Sequence, residues 1–396
     1  MDADILCEFK NPKSRAVTLV FSEFLPADRG LRSFSFRHIL STMPANILYV
    51  KDRGNQWYNR GVYGLGDDVG SVARALKAII TENGFREVRC LGTSMGGYAS
   101  LMFGRELQAD AILAFAPQTF LAPPYPRFAK AVHSGDYLDL STFEARPAAR
   151  TRIVIAKDEL FDIYGAIRLP YWRDVDLQVI KTANHLVARA LNDAGTFKDI
   201  LAEFVQNGTY RDLGVELSDI DFAPLRDDLL VAVEAFYRRD NDRALEVLRS
   251  FVGEIPSWAG AHWWLGRVLA DRKEHDRAVE HLQTAISLNP ALYEASGDIT
   301  VIKTTQKDWL GMLYYMMLTW EANKSFVGLR DRSLATALNA IKSAVDRNEV
   351  DDVRCLFERL KGILERPDFS EHPLKGEIAS IGSAFLKGAD APVASA

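Results

Sequence analysis

The amino-acid sequence predicts an α/β region followed by an all-α region within one chain of 396 residues. Two observations predict this order. Short apolar segments alternate with helix-like segments up to about residue 207, and from about Leu217 only helix-like segments follow. We therefore expect one domain over 1–210 and a helical domain over 217–388. The last residues are small and polar, which predicts a disordered tail over 389–396.

The strand-like segments are apolar along their whole length, as is typical of a mainly parallel sheet with helices on both faces. We predict helices over 67–80, 95–107 and 186–205, where apolar residues recur at helical spacing. The segment 117–150 is rich in proline, alanine and charge, and we expect it to cap the carboxyl edge of the sheet. The predicted strands are 16–22, 46–50, 88–91, 111–116, 152–156 and 176–180.

Composition and charge exclude several classes of protein. The net charge of -5 and the lack of Lys/Arg runs argue against a nucleic-acid partner. Three widely separated cysteines, Cys7, Cys90 and Cys355, indicate neither a disulfide framework nor a zinc site. The acidic N-terminus lacks a signal-peptide pattern, and no stretch approaches the roughly 18 apolar residues of a membrane span. We expect a cytoplasmic protein that needs neither metal nor cofactor.

A G-x-S-x-G motif stands between a predicted strand and a predicted helix. Its residues are Gly92, Thr93, Ser94, Met95 and Gly96. In that context the serine occupies the tip of a sharp turn, where glycines permit strand and helix to approach closely. We expect Ser94 to be a nucleophile and the Met95 N–H to stabilise an oxyanion. The alternative is a chance match in an ordinary loop.

A serine nucleophile needs a base, and the base needs an orienting acid. His185 directly follows a predicted strand and precedes a predicted helix, so it is the predicted base, whereas His38 and His133 are not. The predicted acid is Asp158, just past the strand 152–156. Asp162 remains the alternative. For both carboxylates, capping of the next helix is the other interpretation.

With its nucleophile, acid and base in the order Ser94, Asp158 and His185, the segment 14–207 resembles the α/β-hydrolase superfamily. The resemblance implies a second oxyanion donor from the main chain at Glu23 or Phe24. Here the chain departs from many esterases, because no His-Gly-rich segment follows the first inner strand. The stretches GTSMGGYASLMFG, WYNRG and AFAPQ are also similar to hydrolase-like proteins associated with bacterial surface-glycan genes.

Two loops after predicted strands are candidate walls of the site, because ligands bind at the carboxyl edge of open α/β sheets. One contains Trp57 and Tyr58, which could stack on a sugar ring or an acyl group, although ordinary packing is the more frequent role of an aromatic pair. The other contains Gln118. We list all three as candidate substrate-binding residues.

The helical half contains residues that repeat at a spacing of 34, which resembles tetratricopeptide repeats. Such repeats form surfaces for protein partners or for a second copy of the chain. Trp263 and Trp264 are adjacent, so one of them could point outwards and anchor a partner. Burial of both against a neighbouring helix is the favoured interpretation. The spaced pairs are Ala232/Gly266, Ala244/Ala278, Leu248/Leu282 and Pro256/Pro290.

These patterns lead to one main functional prediction and two alternatives. The main prediction is a serine hydrolase that cleaves a carboxylic ester, on a small molecule or a glycan, through an acyl-enzyme. An O-acyltransferase with the same triad is the first alternative, because the sequence does not separate water from an alcohol as acceptor. The second alternative belongs to another class, a non-catalytic scaffold whose helical repeats bind protein.

Overall fold

The computed structural model describes residues 4–24, 34–121, 137–143, 149–322, 327–367, 369 and 372–389. The chain divides into two compact units, Met1–Ser250 and Phe251–Ala396. This division lies later than the domain boundary predicted between 210 and 217. Most of the predicted cap over 117–150 and nearly all of the predicted tail lie outside the described residues.

The first unit contains a seven-stranded sheet with the order β1-β3-β2-β4-β5-β6-β7. β1 pairs antiparallel with β3, and every other neighbouring pair is parallel. The prediction of a mainly parallel sheet with helices, followed by a helical region, is confirmed. The strands are β1 (Ile5–Phe9), β2 (Ala16–Phe21), β3 (Asn46–Val50), β4 (Glu87–Thr93), β5 (Ala111–Phe115), β6 (Arg150–Ala156) and β7 (Asp176–Ile180).

The edge strand β1 was not predicted from the sequence. It carries Glu8 among its apolar residues, and all of its side chains keep some exposure to solvent. Its partner β3 is buried along its whole length. A short, half-exposed strand lacks the continuous apolar pattern of an inner strand, so only its pairing with β3 identifies it.

The helices of the first unit follow the strands along the chain. The predicted helix over 186–205 is two helices, because the chain turns at Gly195 with a φ of 76°. Both pack on the sheet through an apolar cluster that includes Phe115, Phe197 and Phe204. The helices are α1 (Arg37–Leu40), α2 (Val69–Glu82), α3 (Met95–Glu106), α4 (Leu160–Ile167), α5 (Val187–Asp193), α6 (Phe197–Asn207), α7 (Arg226–Tyr237) and α8 (Asn241–Glu254), and α8 begins in the first unit and ends in the second.

The chain beyond α6 returns to the sheet instead of leaving it. Lys181 N–H donates to the Glu216 carbonyl at 3.0 Å, and Ser218 N–H donates to the Val179 carbonyl at 2.7 Å, so this segment covers the edge of β7. α7 then packs on α4, and the rings of Phe161 and Tyr237 lie 5.8 Å apart. The first unit therefore extends past the predicted end at residue 210.

The second unit is helical throughout its described part. α9 pairs with α10, and α11 pairs with α12. A Cβ on Gly266 would lie 2.7 Å from the Leu282 side chain, so the small residue allows α9 and α10 to approach closely. The helices are α9 (Ala259–Asp271), α10 (His275–Leu288), α11 (Tyr293–Thr305), α12 (Trp309–Ala322), α13 (Val327–Asp346), α14 (Val350–Leu364) and α15 (Leu374–Ala389).

Trp263 and Trp264 are both buried within the second unit, as the favoured interpretation of these residues expected. The Trp263 indole N–H donates to Asp298 at 2.7 Å. Within the described part of the chain, no helix has the length and apolar character to cross a membrane.

Candidate active site

Ser94 stands on a sharp turn between β4 and α3. Its backbone has a φ of 53° and a ψ of -117°, a conformation that residues with a side chain rarely adopt. The turn is held from both sides, since Ser94 N–H donates to the Phe115 carbonyl at 2.8 Å and Tyr98 N–H donates to the Ser94 carbonyl at 3.0 Å. Backbone strain of this kind persists where the surrounding structure holds it, and it occurs frequently at functional sites.

The glycines of the motif are required by close backbone approaches. A Cβ on Gly92 would lie 2.2 Å from the Gly96 carbonyl oxygen, and a Cβ on Gly96 would lie 2.1 Å from the Phe21 carbonyl oxygen. The beginning of α3 therefore packs directly on the end of β2. This is the local geometry that the G-x-S-x-G pattern predicts.

His185 connects Ser94 to a buried carboxylate. Its Nε2 lies 3.1 Å from the Ser94 Oγ. Its Nδ1 lies 2.9 Å from each carboxylate oxygen of Asp162. The Asp162 side chain is 1% exposed and the His185 side chain is 18% exposed, so the carboxylate is shielded from water while the imidazole is partly accessible.

The carboxylate that meets the His185 Nδ1 is that of Asp162, so the geometry favours this alternative over the predicted acid Asp158. Asp158 is fully buried, and its Oδ1 lies 4.0 Å from the Lys157 Nζ. Asp162 lies in the first turn of α4. The helix carries this carboxylate back towards the loop after β7, and the positive end of the helix dipole favours its charge.

The loop after β7 fixes the position of His185. The Asn184 Oδ1 accepts a hydrogen bond from Leu186 N–H at 3.0 Å, which closes a tight turn around the histidine. On the adjacent strand, Lys157 N–H donates to the Ile180 carbonyl at 2.9 Å. These contacts bring the ends of β6 and β7 together, and with them the acid and the base.

The candidate oxyanion donors follow β2 and β4. Met95 is buried at the first position of α3, next to Ser94. The N–H of Glu23 donates to the Ser35 Oγ at 3.1 Å, so this donor is already engaged. Phe24 follows with an exposed ring. Met95 and Phe24 remain the candidate donors.

The candidate wall residues meet across the sheet. The Trp57 indole N–H donates to the Gln118 side-chain oxygen at 3.0 Å, and both side chains are buried. Tyr58 is also buried, and its hydroxyl lies 3.0 Å from the Ser22 carbonyl and 3.1 Å from the Val50 carbonyl. Tyr58 therefore holds backbone at the ends of β2 and β3 and is not placed to stack on a substrate.

Asp52 is a residue of this site that the sequence analysis missed. Its buried carboxylate accepts hydrogen bonds from the N–H groups of Gly54, Gln56 and Tyr58. Burial raises the pKa of this carboxyl, while the three N–H donors oppose that rise. Its position directly after a strand was the available signal, since carboxylates there frequently organise the following loop.

The described part of the predicted cap is tied to the site by polar contacts. The Tyr98 hydroxyl donates to the Leu138 carbonyl at 2.6 Å, and Leu138 N–H donates to the Asn59 Oδ1 at 2.8 Å. The Arg168 guanidinium at the end of α4 pairs with both oxygens of Asp139. Among the residues that the structure describes, no group of three or more His, Cys, Asp or Glu side chains is placed to hold a metal ion.

No family model matches this sequence, and no curated protein matches it. Among solved structures, the chain is similar to the capsule O-acetyltransferase of Neisseria meningitidis serogroup A, with 17% identity, 51% of this chain and 91% of that chain covered, and a TM-score of 0.40. It is also similar to the Glycosylation Associate Protein (Gap123) complex from Streptococcus agalactiae, with 15% identity, 52% and 45% covered, and a TM-score of 0.39. A third similarity, to the MamA RS-1 ArsTM double mutant, has 17% identity, 44% and 99% covered, and a TM-score of 0.27. Likenesses this distant carry no argument about activity.

Proposed function

We propose that this chain is a serine enzyme of the α/β-hydrolase type that transfers an acyl group from an ester through an acyl-enzyme on Ser94. The observation that carries the proposal is the hydrogen-bonded chain Ser94–His185–Asp162 with the serine on a strained strand-to-helix turn. Serine, base and orienting acid in this geometry recur in hydrolases of unrelated folds, and they are recognised by geometry and not by sequence position.

The geometry supports a sequence of proton transfers. Asp162 accepts the hydrogen bond from the His185 Nδ1–H, which leaves Nε2 free to take the proton of the Ser94 hydroxyl as the oxygen attacks the acyl carbon. The Met95 N–H stabilises the negative charge that develops on the carbonyl oxygen. The imidazolium then gives its proton to the departing alcohol, and an acyl-Ser94 ester remains.

The second half of the reaction needs an acceptor for the acyl group. With water as acceptor, His185 removes a proton from water and a carboxylic acid leaves, which is the hydrolase we propose. With a sugar hydroxyl as acceptor, the same steps give an O-acyltransferase. A surface glycan, as acyl donor or acceptor, belongs to this proposal as its substrate class, because the stretches GTSMGGYASLMFG, WYNRG and AFAPQ are similar to hydrolase-like proteins associated with bacterial surface-glycan genes.

An active-site-directed fluorophosphonate tests the nucleophile directly. We expect it to label the wild-type chain and to leave Ser94→Ala unlabelled, because no other described residue has this geometry. Ser100→Ala is the matched control, since Ser100 lies on the same helix and its hydroxyl donates to the Gly96 carbonyl at 2.8 Å. Hydrolysis of p-nitrophenyl acetate should fall by on the order of 10⁶-fold in Ser94→Ala. Wild-type-like labelling or turnover of that variant would contradict the proposal.

A second proposed function concerns the helical unit, and exposed apolar side chains favour it. Val301 on α11 is 66% exposed, and Tyr314 on α12 is 60% exposed. Exposed apolar patches mark sites of protein association, and we propose that these two side chains contribute to a surface that binds a second copy of the chain. Sedimentation of the wild type against the double variant Val301→Lys and Tyr314→Lys tests self-association, which we expect the variant to weaken. A wild type that stays monomeric at all concentrations contradicts self-association.

A further inference from the structure

The loop between β3 and α2 contains a strained backbone beside the active site. Asn55, Trp57 and Tyr58 have φ values of 52°, 51° and 61°. Asparagine tolerates this left-handed conformation, but two consecutive aromatic residues rarely adopt it, because the Cβ atom is crowded by the backbone. Non-glycine residues held in this region are concentrated at functional sites, where the surrounding structure determines them.

The Asp52 carboxylate holds this conformation. Its Oδ1 accepts the Gly54 N–H at 2.9 Å, and its Oδ2 accepts the N–H groups of Gln56 at 2.6 Å and Tyr58 at 2.9 Å. These three bonds fold the chain into a compact loop with Trp57 between two fixed residues. The backbone conformation therefore positions the Trp57 indole, and this position does not require a bound ligand.

The Trp57–Gln118 hydrogen bond crosses the site. Trp57 follows β3 and Gln118 follows β5, and these strands lie on either side of β2 and β4. The carboxyl ends of β2 and β4 carry Phe24 and Ser94. The contact between Trp57 and Gln118 therefore spans the edge of the sheet on which Ser94 stands, and the Phe24 ring is centred 6.1 Å from that of Trp57.

The hydrogen-bonded pair Trp57–Gln118, which we call the bridge, is buried, so moving either side chain out of it is unfavourable. Trp57 is 2% exposed and Gln118 is 8% exposed, so the indole N–H and the amide oxygen satisfy each other out of water. Moving the indole aside would leave both polar groups buried without a partner, which is unfavourable. It would also require the strained loop to rearrange.

We propose that the Trp57–Gln118 bridge bounds the acyl side of the Ser94 site and restricts the acyl group to a short chain. This proposal rests on the acyl-enzyme function proposed above and adds the class of acyl group to it. Pockets bounded by rigid apolar walls discriminate between chains by length, with one methylene changing the specificity ratio by roughly 10–200-fold.

The test compares p-nitrophenyl acetate with p-nitrophenyl octanoate. We expect the wild type to favour acetate in kcat/KM, and Trp57→Ala to raise the octanoate-to-acetate ratio by about 10-fold or more. Gln118→Ala removes the indole's partner and leaves the ring in place, so it should raise the ratio less. Trp172→Ala is the matched control, because Trp172 lies in the turn before β7 and is not part of the bridge.

The measurements distinguish failure of the acyl-length proposal from failure of the proposed function. Fluorophosphonate titration first measures the fraction of active serine in every variant, so kcat/KM is compared per labelled site. A wild type that neither labels nor hydrolyses acetate contradicts the proposed function itself. Normal labelling together with an unchanged octanoate-to-acetate ratio, in Trp57→Ala or, if that variant does not fold, in Gln118→Ala, overturns the acyl-length proposal alone.

Discussion

At the scale of single residues, the site depends on which carboxylate orients the imidazole. Asp162 meets the His185 Nδ1 with both oxygens at 2.9 Å, while the Asp158 carboxylate lies 4.0 Å from the Lys157 ammonium. A buried carboxylate in contact with the base holds its tautomer and stabilises the imidazolium that forms during attack. The two aspartates therefore have different expected effects on turnover.

Asp162→Asn should lower kcat for an activated ester by roughly 10⁴-fold, because the amide cannot stabilise the imidazolium. Asp158→Asn is the matched control, since it removes a charge from the same loop at a carboxylate that lies 4.0 Å from the Lys157 Nζ. We expect this control to retain most of the activity. Steady-state kinetics with p-nitrophenyl acetate measure both, and a severe loss in Asp158→Asn alone would show that the structure assigns the acid incorrectly.

At the scale of elements, the close packing of α3 on β2 fixes the nucleophile. Gly96→Ala would bring a Cβ within 2.1 Å of the Phe21 carbonyl, so backbone must shift. We expect a loss of about 1–3 kcal/mol in the free energy of unfolding and a loss of fluorophosphonate labelling. Gly253→Ala is the control, because its Cβ would meet nothing within 4 Å and alanine favours a helix. Equal melting temperatures for the two variants would contradict this account of the turn.

The contact between α9 and α10 should depend on pH. The Nδ1 atoms of His262 and His281 lie 3.1 Å apart, and the His262 Nε2 lies 3.1 Å from the Pro256 carbonyl. Burial lowers the pKa of His262 below its usual value, and the weaker hydrogen bond to Pro256 opposes that shift. Because the folded state binds this proton less readily, the stabilisation is present above about pH 6.5 and is lost as the pH falls below it.

Thermal melts of the full chain between pH 8 and pH 5 test this dependence. We expect the midpoint of the wild type to fall as the pH drops below about 6.5, and His262→Gln to show a smaller fall. His275→Gln, on α10, is the control and should follow the wild type. A His262→Gln variant with the same pH dependence as the wild type would exclude this pair as the cause.

At the scale of the whole molecule, the first unit needs the chain that follows α6. The segment after Glu216 covers the edge of β7, and α7 packs on α4, which carries Asp162. A fragment 1–207 would expose that strand edge and the outer face of α4, whereas a fragment 1–254 keeps both covers. We expect 1–254 to label with fluorophosphonate like the full chain and 1–207 to aggregate or label slowly. Size-exclusion chromatography and labelling rates compare them, and a soluble, fully labelled 1–207 fragment would contradict this boundary.

The sequence by itself determined the features that depend on neighbouring residues. The G-x-S-x-G turn needs glycines at 92 and 96 for reasons of local geometry, and His185 was placed by the strand before it and the helix after it. The mainly parallel sheet followed from apolar strands alternating with helices. Only the tertiary structure chose Asp162 over Asp158, revealed the antiparallel edge strand β1, and joined Trp57 to Gln118. These features depend on the order of the strands in the sheet and on the direction in which the short helix α4 points its side chains. Contacts between residues far apart in the sequence determine both the strand order and this direction.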